Sequence, residues 1–114
     1  MISHWFGWIA FGIGITEFFG YAARKWHITK WNHFRGKHHM AWGKIMIGIA
    51  LLHGCLTGAL RTLNLGTICW LGMLLLWGTY SFRSTLGSCW LFWHRRISVG
   101  VLILGIAHIV MCVI

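Results

Sequence analysis

The sequence predicts an all-α protein, a four-helix transmembrane bundle with both termini on the outer side of the membrane. Three observations lead to this prediction: 58% of the 114 residues are apolar, only 10% are charged, and the mean hydropathy is +0.71. A soluble domain carries about 25% charged residues, and a chain of this composition would expose large apolar patches to water. Disordered chains are poor in aromatic residues, whereas this one has nine Trp and seven Phe. A soluble globular enzyme and a disordered protein are therefore excluded.

Two apolar runs in the first half of the chain predict the first pair of membrane-spanning helices. A helix needs roughly 20 mainly apolar residues to cross the hydrocarbon core. The first run, residues 3–23, is aromatic and rich in Gly, and the second, residues 40–60, is interrupted only by Lys44 and His53. Both runs are continuous, whereas membrane β-strands alternate apolar and polar residues, so helices are favoured.

Two further runs complete the predicted bundle. The third run, residues 65–82, follows a turn at 61–64 that is short enough to force an antiparallel hairpin. The fourth run, residues 97–114, is broken only by His108. Together the four helices predict a single four-span membrane domain over residues 1–114. Because successive helices alternate in direction, the second and fourth helices are expected to run parallel.

The basic residues lie almost entirely between the apolar runs and predict the orientation. Nine of the ten Lys and Arg residues fall in the links 24–38 and 83–96 or, as Lys44, just beyond the first link, whereas Arg61 stands alone on the other face. Cytoplasmic segments of membrane proteins carry the excess of Lys and Arg, so both links are predicted to be cytoplasmic. This pattern accounts for the net charge of +9 without a nucleic-acid partner. The positive residues of a signal peptide precede its apolar stretch, whereas here they follow the first run.

The four cysteines show no metal-binding or haem-attachment spacing. No CxxC, no CxxCH and no zinc-like pattern occurs among them, which excludes covalently attached c-type haem. Their default interpretation is that of small apolar side chains. They are Cys55, Cys69, Cys89 and Cys112.

Four of the eight histidines form two pairs with equal spacing. His39 and His53 are 14 residues apart on the second predicted helix, and His94 and His108 are 14 residues apart on the fourth. Fourteen residues rotate a helix to within roughly 40° of whole turns and advance it by about 21 Å. Each pair is therefore expected on one helix face. If the two helices are parallel, His39 lies level with His94, and His53 lies level with His108.

Two opposed imidazoles at each of two levels are the arrangement of bis-histidine haem ligation. A lone His in a membrane helix can simply hydrogen-bond to a neighbouring helix, but burying ionisable residues costs free energy and indicates a function. Two pairs with the same spacing are hard to obtain from packing alone. The pattern thus predicts His39, His53, His94 and His108 as metal ligands. His38 is the alternative to His39, since its 15-residue spacing to His53 is also close to one face.

These residues resemble a known family. The stretches HHMAWGKIMIGIALLHG at 38–54 and WHRRISVGVLILGIAH at 93–108 resemble the di-haem core of the cytochrome b superfamily, including its small four-helix domains that occur alone or as subunits of redox complexes. The resemblance covers the second to fourth helices and implies two haem b groups, one near each membrane face. The quinol-oxidising members also place Gly pairs with a 14-residue repeat on the two helices without ligands. Here the first and third helices lack such a pair, although they contain Gly7, Gly12, Gly14, Gly20, Gly66, Gly72 and Gly78.

Further residues are candidates for haem binding. Four glycines near the histidines could thin the helix surface against a porphyrin, although close helix packing explains small residues as well. Haem propionates need cationic or hydrogen-bonding partners, which basic side chains supply on the cytoplasmic side. On the outer side Arg61 is the only basic residue, and a surface Arg reaching toward water is its alternative. The candidates are Gly43, Gly48, Gly100 and Gly105, and Lys44, Arg35, Arg61, Arg95 and Arg96.

Glu17 is the only acidic residue of the chain. An intramembrane carboxylate often serves a proton relay or contacts a quinone. An ion pair with Lys44 or Arg24 explains the residue as well and is the favoured interpretation.

The predicted function is the transfer of single electrons across a membrane. Two fully ligated haems leave no open iron position, so the chain is expected to carry electrons between a redox partner and a quinone or second partner, as the anchor of a larger oxidoreductase complex. Its expected partners are the other subunits of that complex and the bilayer of a prokaryotic inner membrane, and its basic links could bind anionic lipid. The alternatives are a haem-free structural or assembly subunit and a chlorophyll-binding subunit.

Overall fold

The chain is all-helical in the computed structural model, which describes the backbone of residues 1–27 and 29–114 and the side chains of 1–20, 26–27 and 37–114. Five α-helices and one 3₁₀ turn are found in these residues, and no strand occurs among them. The prediction of an all-α protein is confirmed. The elements are α1 (Ile2–Lys25), α2 (Thr29–Thr57), the 3₁₀ turn (Ala59–Arg61), α3 (Leu65–Ser81), α4 (Arg83–Leu86) and α5 (Cys89–Val113).

Two helices begin earlier than the apolar runs that predict them. α2 begins at Thr29 instead of near residue 40, and α5 begins at Cys89 instead of near residue 97. An apolar run marks only the part of a helix that suits hydrocarbon, whereas Lys and Arg are good helix formers and the chain has no Pro to stop the helix. α2 ends at Thr57 because Gly58 takes a left-handed conformation with φ of 72°, as is common just after a helix.

Two helical segments are long and apolar enough to cross a membrane. They are Lys37–Thr57 within α2 and the whole of α5, Cys89–Val113. α3 is apolar but has only 17 residues, and the described part of α1 is not among the candidate spans. The chain is thus compatible with a membrane protein. The predicted orientation of the termini stays a prediction, and the side chains of Arg24, Lys25, Lys30 and Arg35, on which it partly depends, lie outside the described residues.

The described helices turn most of their large apolar side chains outward. Among the described hydrophobic residues only Ala10 and Cys69 are buried, whereas Trp5, Leu75 and Ile103 are each at least 60% exposed. In water a surface of this kind drives association. In a bilayer the same surface faces hydrocarbon, which agrees with the two candidate spans.

The first compact unit of the chain, Met1–His53, contains α1 and most of α2. Its contacts pair the beginning of α1 with the end of α2: a Cβ at Gly7 would lie 3.0 Å from the His53 ring, and a Cβ at Gly14 would lie 3.3 Å from the Met46 sulfur. Farther along α1, Glu17 contacts His39. The two helices therefore run antiparallel within this unit.

The second compact unit, Gly54–Ile114, contains α3, α4 and α5. A Cβ at Gly72 would lie 2.6 Å from Val101 Cγ2, and the Cys69 thiol donates to the Val101 carbonyl at 3.5 Å. At the start of α3, the Asn64 side chain accepts a hydrogen bond from the Thr67 N–H at 3.1 Å, as a helix N-cap does. α3 and α5 pack closely around Gly72 as a result. The single-domain arrangement of residues 1–114 stays a prediction.

Candidate functional site

His39 and Glu17 are in direct contact on α2 and α1. The Nδ1 atom of His39 is paired with the Oε2 atom of Glu17. An ionised carboxylate can only accept hydrogen bonds, so the imidazole N–H donates to Glu17. The Glu17 side chain is only 12% exposed, whereas that of His39 is 42% exposed. The structure thus gives Glu17 a histidine partner. The expected ion pair with Lys44 or Arg24 stays a prediction. The side chain of Arg24 lies outside the described residues.

His53 lies against the beginning of α1. Its Nδ1–H donates to the backbone carbonyl of Ser3. The ring also packs on the backbone at Gly7, where an added Cβ would approach the His53 Cε1 atom to 3.0 Å. Only Gly lets the His53 ring come this close to α1 without displacement.

His94, near the beginning of α5, is hydrogen-bonded to Thr79 near the end of α3. The distance between His94 Nδ1 and Thr79 Oγ1 is 2.9 Å. The Thr79 hydroxyl also donates to the Leu76 carbonyl at 2.7 Å. Since a hydroxyl has a single proton, Thr79 accepts from the His94 Nδ1–H while it donates to Leu76. The Trp90 ring packs edge-on against the His94 ring at 5.9 Å between centroids.

His108 packs on the beginning of α3. A Cβ at Gly66 would lie 2.8 Å from the His108 Cε1 atom and 3.1 Å from the Asn64 Oδ1 atom. One turn farther along α5, the Cys112 sulfur lies 3.9 Å from both ring nitrogens of His108. His108 thus has the same relation to α3 as His53 has to α1, with a Gly under the imidazole ring.

The four histidines share one pattern within the two units. Each lies on the second long helix of its unit and contacts the preceding long helix. Three of them use Nδ1 to donate to an oxygen acceptor on that helix: a carboxylate for His39, a carbonyl for His53 and a hydroxyl for His94. In a neutral imidazole such a bond leaves the lone pair on Nε2. Histidines that ligate metals almost always donate their other N–H in this way.

The donor set is compatible with a bis-histidine haem site. Among the described residues no group of three or more His, Cys, Asp or Glu side chains could hold a metal ion. A six-coordinate haem takes only two protein ligands, so it needs no such group. The Nδ1 bonds of His39, His53 and His94 are compatible with such ligands.

The other predicted haem-binding residues lie on α2, α5 and the 3₁₀ turn. Among the described atoms, an added Cβ at Gly43, Gly48 or Gly100 would meet none within 4 Å. Gly105 is half-buried on α5. The basic side chains are exposed, and the Arg96 guanidinium lies 4.4 Å from the centre of the Phe92 ring. The exposed basic residues are Lys44, Arg61, Arg95 and Arg96.

Four residues next to the histidines were not among the predicted site residues. They are Ser3, Gly7, Gly66 and Thr79, which contact His53, His108 or His94. Finding them requires the register between neighbouring antiparallel helices, which the sequence analysis did not assign. In an antiparallel pair, each step forward on one helix is matched by a step backward on the other. Once the facing pair Gly72 and Val101 is known, the register of α3 and α5 indicates which α3 residues lie near His94 and His108.

No family model, no curated protein and no solved structure matches the chain. The functional assignment therefore rests on these residues and their geometry.

Proposed function

We propose that the chain is a di-haem b-type membrane cytochrome subunit that passes single electrons across a membrane. The observation that carries this proposal is the repeated arrangement of His39, His53 and His94, each with Nδ1 donating to an oxygen on the preceding helix. A packing histidine has no need for the same nitrogen to be engaged each time. A ligand that must present Nε2 to a metal, by contrast, needs Nδ1 to be the nitrogen that donates the hydrogen bond.

His39, His53, His94 and His108 would hold the two haems, as their 14-residue spacing on α2 and on α5 predicts. Glu17 supports His39 over His38 as the first ligand, because its carboxylate orients the His39 ring. Haem b with two imidazole ligands supplies reversible one-electron transfer and has no open position for a substrate. The chain's own residues hold the rings in orientation through Glu17, Ser3 and Thr79.

The distance between the two ligands of each helix suits transfer through the bilayer. Fourteen residues advance a helix by about 21 Å, which is most of the roughly 30 Å thickness of the hydrocarbon core. We propose four membrane spans, formed by α1, α2, α3 and α5, with both termini outside. The two segments Lys37–Thr57 and Cys89–Val113 and the outward apolar side chains support this topology.

The chain would act within a larger membrane oxidoreductase complex of a prokaryotic inner membrane. Electrons would come from a redox partner and leave to a quinone or a second partner. The exposed basic residues Lys44, Arg95 and Arg96 suit haem propionates and anionic lipid headgroups. No nucleic-acid partner is involved.

The test is a reduced-minus-oxidised absorption spectrum of the purified protein, with haem quantified against protein as the pyridine haemochrome. We expect a b-type spectrum and about two haems per chain. His39→Ala, His53→Ala, His94→Ala and His108→Ala should each lower the haem content, whereas His4→Ala, at an exposed position of α1, should not. A protein purified with its native partners that contains no haem would contradict the proposal.

A haem-free structural or assembly subunit is the second candidate function. It is favoured by the fact that all four histidines contact residues of their own unit, as histidines that only pack would do. This candidate predicts that the histidine substitutions leave the spectrum of the complex unchanged. Chlorophyll bands in the same spectrum would instead indicate a pigment-binding subunit.

A further inference from the structure

We propose that one face of α5 binds an anionic phospholipid of the bilayer, with the lipid phosphate at Arg95 and Arg96 and an acyl chain along the apolar residues that follow. The inference rests on the membrane span that is part of the proposed function, but it does not depend on haem. All of the residues that carry it belong to the second compact unit, Gly54–Ile114.

The lipid-binding face is a stripe of exposed residues on α5, called the α5 stripe below. Its members recur at alternating intervals of four and three positions, which keeps them on one side of a helix. The apolar members are each at least 44% exposed. The stripe consists of Phe92, Arg96, Val99, Ile103, Ile106 and Val110.

The α5 stripe points away from the residues that hold α5 against α3. Two positions turn a helix by about 200°, and Val101, which contacts α3, lies two positions from both Val99 and Ile103. His94 and His108, which also contact α3, are likewise two positions from the nearest stripe residues on either side. Neither α3 nor a cofactor held by these histidines would therefore occupy the stripe.

Two arginines give the α5 stripe a cationic end. Arg95 and Arg96 are exposed and lie four and three positions before Val99, so both are its neighbours one turn nearer the beginning of α5. The Arg96 guanidinium lies 4.4 Å from the centre of the Phe92 ring, another turn nearer that beginning, as a charged group that reaches toward the headgroup layer does. Residues 54–114 contain no Asp or Glu, so no carboxylate side chain of this unit can neutralise the pair.

The length of the α5 stripe matches one leaflet of a bilayer. Arg96 and Ile106 are ten positions apart, which corresponds to about 15 Å along a helix and to half of the roughly 30 Å hydrocarbon core. Guanidinium groups bind phosphate oxygens through paired, charge-assisted hydrogen bonds. A phosphate bound at the arginines would thus have its acyl chain beside Val99, Ile103 and Ile106.

The distribution of charge favours a lipid over a second copy of the chain. Two copies that met along the α5 stripe in the same membrane orientation would bring their arginine pairs together, and like charges repel. A phospholipid supplies both the opposite charge and the hydrocarbon. The ammonium group of a zwitterionic lipid offsets its phosphate charge, so we expect the stripe to prefer an anionic headgroup.

The test is photo-cross-linking of the full chain in phosphatidylcholine vesicles that contain a small share of a lipid with a diazirine on one acyl chain. This photoactivatable lipid is either phosphatidylglycerol, which is anionic, or phosphatidylcholine, which is zwitterionic. Mass spectrometry of the α5 peptides locates the labelled residues. We expect the anionic probe to label Val99, Ile103 and Ile106 more strongly than the zwitterionic probe does, and to leave Val101 unlabelled.

Variants that each remove one charge separate a site from general attraction. Arg96→Gln should lower the labelling of the stripe by the anionic probe about fivefold, the factor that one basic residue near an anionic surface contributes. Arg83→Gln is the matched control, because it removes the same charge just before α5. The Arg83 guanidinium lies 4.2 Å from the centre of the Tyr80 ring and donates to the Tyr80 carbonyl at 3.1 Å, so its removal should leave the labelling of the stripe unchanged.

Three results would overturn the lipid site while leaving α5 as a span. Equal loss of labelling in Arg83→Gln and Arg96→Gln would mean that anionic lipid only follows the general basic charge. Equal labelling of the stripe by the two probes in the wild-type chain would exclude a headgroup preference, whether or not the variants fold. A stripe that neither probe labels, beside labelled residues elsewhere on α5, would be covered by a second copy or by a partner subunit.

Two other results separate this inference from the proposed function. If no residue of α5 is labelled by either probe, α5 does not span the membrane, and the proposed topology is overturned together with the lipid site. Haem is quantified on the same preparations. A chain without haem in the presence of its native partners, but with the expected labelling of the α5 stripe, overturns the cytochrome assignment and supports the lipid site.

Discussion

Gly66 allows the His108 ring to rest directly on α3, and this contact leads to a prediction for haem occupancy. In Gly66→Ala the new methyl group would lie 2.8 Å from His108 Cε1, so the ring must move out of its position. Gly78→Ala is the matched control, because the same methyl on the same helix would meet no atom of the described residues within 4 Å. Both changes replace a helical Gly by Ala, which by itself stabilises a helix by roughly 0.5–1 kcal/mol.

We therefore expect Gly66→Ala to lose haem while Gly78→Ala retains it, as measured by pyridine haemochrome per chain. Equal haem content in the two variants would show that the position of His108 over Gly66 has no bearing on ligation.

Thr79 supplies the acceptor that holds His94. In Thr79→Val the shape of the side chain is kept, but the bond of 2.9 Å to Nδ1 is lost and the imidazole can rotate. Loss of such an outer partner typically weakens metal binding by about 10–100-fold, and we expect a haem affinity lowered in this range. Thr79→Ser restores the hydroxyl and should restore most of the affinity, measured by titrating haem into the apoprotein in detergent. Equal affinity in Val and Ser variants would contradict a role for this hydrogen bond.

At the level of single residues, the sequence identifies the histidines but not what holds them. His39 and His53 stand out because a spacing of 14 residues is a property of one helix. Glu17 attracts attention as the only carboxylate, yet its contact with His39 depends on the register between two helices. The Ser3 carbonyl has no sequence signal at all, since every residue carries a backbone oxygen.

Between elements, the tightest contact of the second unit is that of Gly72 on α3 with Val101 on α5. Gly72→Ala places a methyl group 2.6 Å from Val101 Cγ2, and overpacking of this kind costs about 1–3 kcal/mol. Val101→Ala removes the clashing methyl groups, so the double variant should recover a good part of the stability lost in Gly72→Ala. Free energies of unfolding in detergent, measured for the two single variants and the double variant, give the coupling between the positions. Additive effects would contradict close packing of α3 on α5 at this point.

The elements themselves follow from composition more readily than their ends do. Continuous apolar runs predict α3 within one residue at its C-terminal end, because polar residues and a turn flank the run. α2 and α5 extend beyond their apolar runs. A charged residue such as Lys37 or Arg95 lowers the hydropathy and so ends the apolar run, but Lys and Arg are good helix formers and do not end the helix. The short helix α4, Arg83–Leu86, has no apolar pattern and could not be recognised as an element.

On the scale of the whole molecule, the expectation of a membrane protein follows from the balance of apolar and charged residues. A chain with ten basic and one acidic residue has few polar side chains with which to cover its surface. Its large apolar side chains are exposed instead, among them Trp77 and Phe92. The direction in which the chain crosses a membrane depends on the placement of the basic residues, which is a property of the links and not of any contact.

Two native cysteines at the ends of α5 test both the span and its direction. Cys89 and Cys112 are exposed and lie 23 positions apart, which corresponds to about 34 Å along a helix and exceeds the roughly 30 Å of hydrocarbon. If α5 spans the membrane with the basic link 83–96 inside, a membrane-impermeant maleimide should label Cys112 in spheroplasts and Cys89 in inverted vesicles. Single-cysteine variants and a mass-shift gel make the measurement.

Cys69 is the matched control, because it is buried on α3 and should react from neither side until the protein is denatured. Labelling of Cys89 and Cys112 from the same side would mean that α5 does not cross the bilayer, and the four-span topology would fail with it. The reverse assignment would keep the span but place the basic link outside. The His94 end of α5 would then face outward, since His94 lies only five positions from Cys89.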